Sequence, residues 1–295
     1  MMPRRLIACM AAVAGGVLAA LMPSPSPAQS QRPLAELLGS THVHGLALDR
    51  ADPGRLLIAT HHGLHALDLD GGTTALVTAR RDDFMGFTAH PAEPGVLYAS
   101  GHPAGGGNLG FIASEDGGKT WETLSAGANG PVDFHQMDVS KADASVIYGV
   151  HGGLQASRDG GRTWQRVGPV PEGLIDIAAS ARDENRLFAA TQQGLAVSRD
   201  GGRTWQPDPS LRQPVSMVET TADGAVHAFM LGSGLMRAEE PSLGWQTLSN
   251  GFGDRYLLHL AVDPNDHDRV FASTQHNELM ASRDGGRTWR AIAAP

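Results

Sequence analysis

The sequence predicts an all-β chain closing into a six-bladed β-propeller of four-stranded blades, and three observations predict it. A motif of the form SxDxGxTW recurs four times, as SEDGGKTW at 114–121 and SRDGGRTW at 157–164, 198–205 and 282–289. Trp121, Trp164, Trp205, Trp245 and Trp289 follow one another at intervals of 43, 41, 40 and 44 residues, the repeat length of a propeller blade. Each unit holds four short β-rich runs separated by turn residues; in the third they are FHQMDVS, SVIYGV, GLQAS and TWQRV.

The remaining two units are weaker copies. Trp245 closes an eroded version, AEEPSLGW, and GLHALDLDGGTTALV (63–77) aligns with GLQASRDGGRTWQRV (153–167) but lacks the tryptophan. The expected blades run about 41–80, 81–126, 131–168, 173–208, 214–249 and 255–295, after an extension over 29–40. Closing the ring removes sheet edges that would otherwise template aggregation. The motif's acids and tryptophans (Asp116, Trp121, Asp159, Trp164, Asp200, Trp205, Asp284 and Trp289) have a structural reading. A short Asp before Gly-Gly suits a tight turn in which the carboxylate accepts backbone N–H bonds, while the Trp packs between blades.

Arg4 and Arg5 precede an apolar run from Leu6 to Leu21 and the stretch PSPSPAQS, the pattern of a secretory signal peptide over 1–28. The run is short for a membrane span of about 20 residues, so no stable insertion is expected after cleavage. Cys9 begins the apolar run instead of following it, which argues against lipidation. It is the single cysteine and leaves with the signal, so the mature domain has no thiol for a disulfide, a metal or nucleophilic catalysis. Loss of Arg4 and Arg5 takes the formal charge from -8 to -10, which opposes nucleic acid and anionic lipid as partners. A monomer in the periplasm or extracellular space is expected.

The repeats resemble the BNR or Asp-box propellers of sialidases, sortilin-type receptors and photosystem assembly factors. HVHGLA, DFMGF, NLGFIASEDGGKTW and DFHQM resemble exported bacterial proteins grouped as sialidase-like glycosyl hydrolases. The sialidase resemblance implies three arginines holding a substrate carboxylate, a Tyr/Glu pair and an acidic acid/base residue. The aligned inner-strand starts, His44, Met85, His135, Ile175, Ser216 and Leu258, include no arginine. Arg80, Arg81 and Arg255 lie in loops just before inner strands, with Tyr256 following. Tyr98 and Tyr148 occupy equivalent second-strand positions and read as packing residues.

Histidine supplies the sharper signal. Of 13 histidines, 8 fall at inner-strand starts (His42, His44, His135) or in loops after second strands (His61, His62, His102, His151, His276), positions that share one rim. Residues two apart in a strand share a face, so His44, Met85 and His135 are expected to line one coordination site at the channel mouth. His42, Asp83 and Asp133 would form an adjacent layer, and the loop histidines a rim admitting ligand. Imidazole with thioether suits copper; imidazole with carboxylate suits zinc, Cu(II) or another divalent ion. Alternatively, Asp83 and Asp133 are paired carboxylates of a hydrolase, or the whole rim docks an exported protein. The bland reading is a polar channel holding water and hydrogen-bonded histidines.

Overall fold

The computed structural model describes residues 31–293. Six antiparallel sheets follow in chain order, with one five-residue helix, Leu34–Leu38. Each sheet is a blade whose first strand is innermost: Val43–Leu48, Asp83–Ala89, Gln136–Val139, Leu174–Ala179, Val215–Thr220 and Leu257–Val262 for blades 1 to 6. Inner strands of consecutive blades are neighbours all the way round, blade 6 meeting blade 1. Blade 1 carries a fifth strand, Arg32–Pro33, paired to its outer edge at Thr73 and Thr74. The expected 29–40 extension therefore contributes this strand and the helix, while the expected signal peptide lies outside the described residues.

One apolar cluster fills each seam between blades. Trp164, for instance, packs with Phe111 of blade 2 and Phe134 of blade 3, its ring centroid 5.3 Å and 4.6 Å from theirs. Trp121, Trp205, Trp245 and Trp289 take the same place against the preceding blade. Blade 1 has no such tryptophan, and the helix replaces it: Leu34, Leu37 and Leu38 pack between blade 1 and Phe271 and Leu279 of blade 6. Each blade is a sheet with two apolar faces, so every seam must be filled to keep those faces from water.

The repeated turns carry out the chemistry their composition suggests. At 157–164, Ser157 Oγ donates to Asp159 Oδ1 at 2.8 Å and accepts from Gly161 N at 2.8 Å. Asp159 accepts from Thr163 N at 2.9 Å and from Thr163 Oγ1 at 2.6 Å, and Trp164 Nε1 donates to Gly161 O at 3.0 Å. The hydroxyl of Thr163 and the neighbouring donors hold the Asp159 carboxyl down at about 2. Gly161 is at φ +86 and a Cβ there would collide with Phe111, so both backbone freedom and close approach require glycine. Trp205 is the exception: its buried Nε1 has no hydrogen-bond partner.

The eroded fifth copy has a different job. Glu240, whose side chain is fully buried, reaches across to blade 4, accepting from Ala181 N at 2.9 Å and from Ser180 Oγ, with Arg186 Nη1 at 3.7 Å. The ring closes through Asn277, which sits at φ +59. Its Nδ2 donates to Leu38 O and Thr41 O, both at 2.6 Å, and its Oδ1 accepts from Val43 N at 3.1 Å. Closure thus uses side-chain contacts, those of Asn277 beside the packed helix, instead of strand exchange: each blade's four main strands are consecutive in sequence.

Candidate functional site

Inner-strand bulges decide where the rim residues point. The ladder of blade 1 pairs Val43 with Thr60 and Gly45 with Ala59, leaving His44 as the extra residue. A bulge kinks the strand and re-aims its side chain. Ile175, Ser216 and Leu258 occupy corresponding bulges in blades 4, 5 and 6. In blade 2, however, Met85 is paired with Ser100 and the irregularity follows it, with Gly86 at φ +53. Blade 3 has no bulge there; its ladder starts at Gln136, one residue after His135. Residues at one sequence count therefore stand in three backbone settings.

The consequence is a grouping by seam rather than by layer. His44, His61 and Asp83 form one cluster across the seam of blades 1 and 2; His102, Asp133 and His135 form another across blades 2 and 3. His44 and His135, expected to share a site, fall in separate clusters. His61 and His102, expected only at the rim, are full members.

In the first cluster, His61 Nδ1 lies 2.9 Å from Asp83 Oδ2 and His61 Nε2 lies 3.2 Å from His44 Nε2. His44 Nδ1 touches Met85 Sδ and lies 3.2 Å from Asp83 Oδ1, an oxygen left without a hydrogen bond. Burial, then the neighbouring His61, pushes His44 down to about 4 against the opposing pull of Asp83, so its ring is neutral and available as a ligand at neutral pH. The side chains of His44 and Asp83 are 12% and 21% exposed and that of His61 41%, so the cluster opens to solvent on its His61 side.

The second cluster is more open on its outer side. His102 Nε2 and His135 Nε2 lie 3.0 Å and 2.6 Å from the same oxygen, Asp133 Oδ2, with the imidazoles 43% and 61% exposed and the carboxylate 7%. Its other oxygen, Asp133 Oδ1, is buried without a partner. His102 Nδ1 donates to Gly107 O at 2.9 Å. A neutral His102 then turns its Nε2 lone pair toward a carboxylate, which is repulsive unless a proton or a cation lies between. The Gly107 carbonyl accordingly raises His102, with burial opposing and Asp133 adding to the rise.

The other sequence-selected residues are peripheral. His42 is exposed with its ring 5.8 Å from that of His61, and His62 is exposed beside His61 at 6.4 Å. His151 Nδ1 donates to Asp133 O at 3.0 Å and so steadies the strand entry carrying that acid. His276 Nε2 lies 3.8 Å from Asp254 at the opposite side of the closure turn. Of the loop arginines Arg80, Arg81 and Arg255, two are occupied locally: Arg80 with Asp82 at 2.6 Å and Arg255 with Glu278. Tyr148 is fully buried and donates to Glu184 O at 2.7 Å.

Sequence reasoning missed the polar girdle deeper in the channel. A cavity of about 190 Å³ is lined by residues of every inner strand, including His44, His135 and His259. Within it, Lys141 Nζ lies 2.7 Å from Asp138 and 3.5 Å from Glu219. Asp176 accepts from Val218 N at 3.0 Å and Ile177 N at 2.9 Å, yet burial pushes it up to about 8. Glu219 is pushed up to about 7 by burial, which outweighs the attraction of Lys141. Its side chain is 32% accessible and lines the channel cavity. A signal existed: these acids and His259 stand one to three positions after the aligned inner-strand starts.

No family model and no curated protein matches the chain. Among solved structures, a GH74 enzyme of Niastella koreensis is similar at 17% identity and a TM-score of 0.60, over 85% of this chain and 45% of that one. A GH74 xyloglucanase from Xanthomonas campestris is similar at 21% identity and 0.57, over 89% and 46%. The chain thus spans about half the length of these two enzymes. YCF48 bound to a D1 peptide is similar at 15% identity and 0.54, over 85% and 82%. At such identities the likeness is one of architecture, and it places the chain among β-propellers whose chemistry must be read from its own rim.

Proposed function

We propose that this protein binds transition-metal ions at the histidine-bearing rim of its channel, with copper favoured by the thioether of Met85, and that it acts as an exported metal-binding protein. The observation that carries the reading is two separate sets of two imidazoles and one carboxylate. Ligands at about 2.0–2.1 Å from a tetrahedral ion stand roughly 3.3 Å apart. The contacts of 2.6 to 3.2 Å within the clusters reach that spacing by shifts of less than about an ångström. Buried carboxylate oxygens without partners, Asp83 Oδ1 and Asp133 Oδ1, add donors that a cation would satisfy.

The test is elemental analysis of protein purified without an affinity tag, dialysed against chelator and reloaded with copper or zinc. Metal should survive gel filtration and disappear in the Asp83→Asn/Asp133→Asn variant, with the metal-free melting temperature nearly unchanged. Wild-type protein that retains no metal, or a double variant that retains all of it, sinks the reading.

A protein-docking role is the second reading, supported by the similarity to YCF48, which is described bound to a peptide. Glycoside hydrolysis with Asp83 and Asp133 as the acids is supported by the GH74 neighbours alone. A glycan-hydrolysis screen separates the latter from the other two.

A further inference from the structure

Resting on the metal-binding reading, we infer that the rim holds two unlike ions side by side: a soft ion such as Cu(I) at His44–His61–Met85–Asp83, and a borderline divalent ion such as Zn(II) at His102–Asp133–His135. The two donor sets differ in kind. Only the first has sulfur, with Met85 Sδ in contact with His44 Nδ1. Thioether with neutral imidazole selects Cu(I), while two imidazoles and a carboxylate suit zinc. Enclosure differs in the same sense. In the first cluster His61 is the one open ligand, whereas both imidazoles of the second are exposed, leaving its outer side free for a water or small anion as fourth ligand.

The fold makes the sites neighbours without making them share a ligand. Asp83 of the first and His102 of the second are direct ladder partners in blade 2. Direct partners put their Cβ atoms about 4.5–5.5 Å apart on one face of the sheet. Each then leans to its own seam, Asp83 toward the blade 1 imidazoles and His102 toward Asp133. The orientation of His102 is fixed from behind by Gly107 O, leaving Nε2 for the ion. Each ion would carry one carboxylate, which lowers their mutual repulsion enough for both to bind.

The experiment titrates tag-free, chelator-stripped protein with Cu(I) under ascorbate against a competing chelator, with Zn(II), and with each in the presence of the other. The expected result is one copper and one zinc per chain, neither displacing the other. Met85→Leu should weaken Cu(I) by about tenfold or more and leave Zn(II) within about twofold; His135→Ala, at an exposed position, should do the reverse. Mutual one-for-one displacement, or a Met85→Leu effect equal for both metals, overturns the inference while metal binding itself stands. Binding of neither metal overturns both.

Discussion

Replacement of Asn277 by alanine should loosen the ring at its closure and the first metal cluster with it. The side chain makes three hydrogen bonds, to Leu38 O, Thr41 O and Val43 N, from a half-buried turn. At about 1 kcal/mol net for each bond the loss is about 3 kcal/mol. Alanine at φ +59 adds about 1 kcal/mol, because asparagine tolerates the left-handed region better than other residues with a Cβ. Partial hydration of the freed carbonyls returns some of this, so the expected cost is about 3 kcal/mol. For a domain of this size that corresponds to roughly 6–12 °C in Tm. Asn277→Gly should lose about 1 kcal/mol less than alanine, since it removes the bonds without the backbone strain. Asn277→Asp should resemble alanine, because it keeps an acceptor for Val43 N but faces two carbonyls with a carboxylate. Urea unfolding of metal-free protein, followed by tryptophan fluorescence, measures the series. A loss under about 1 kcal/mol for Asn277→Ala would refute the clasp; since Val43 adjoins His44, Cu(I) affinity should fall in the same variant.

Other outcomes follow from the turns, the channel and the rim. Asp159, Asp200 and Asp284 are held at about 2 instead of 3.8 by donors from their own turns, first the threonine hydroxyls. A depressed carboxylate stabilises the fold above its unfolded pKa, so the contribution of these three should be whole from pH 7 to about 5 and fall between about pH 4 and 2. The triple Asn variant should show a shallower fall in acid-unfolding curves. Asp176 and Glu219, raised to about 8 and 7, act in the opposite sense: their contribution is whole below about pH 4 and lost as pH rises through 7 to 8. Asp176→Asn should therefore flatten the stability profile between about pH 4 and 8, and an unchanged slope would count against burial as the cause. Zinc at about 100 times its Kd should stabilise the wild type by about 2.7 kcal/mol, an increment absent from Asp133→Asn in thermal melts.

The architecture was legible because a blade is a local unit: tryptophan spacing and the Ser-Asp-Gly-Gly turn are written within about 45 residues of sequence. The function of the degenerate copies was not. That Glu240 spans to blade 4, or that a helix fills the seam lacking a tryptophan, depends on neighbours far along the chain. At the rim, counting back from a turn found His42, His44, Asp83, Met85, Asp133 and His135, of which all but the exposed His42 stand at the clusters. It could not sort them, since a bulge at His44, a later one after Met85 and none before His135 turn equal counts into different directions. Cross-strand pairing of Asp83 with His102 was the missing constraint, since it puts a histidine read as a loop residue at the strand end beside Asp83.

Because each cluster takes ligands from two adjoining blades, occupancy would do more than retain an ion. Blades 1, 2 and 3 otherwise abut through apolar clusters and a few hydrogen bonds, such as those from Phe134 N to Ser100 Oγ and from Ser125 Oγ to Gly161 O. A bound cation would act there as a rivet, tying blade 1 to blade 2 and blade 2 to blade 3 at the one rim that carries the imidazoles.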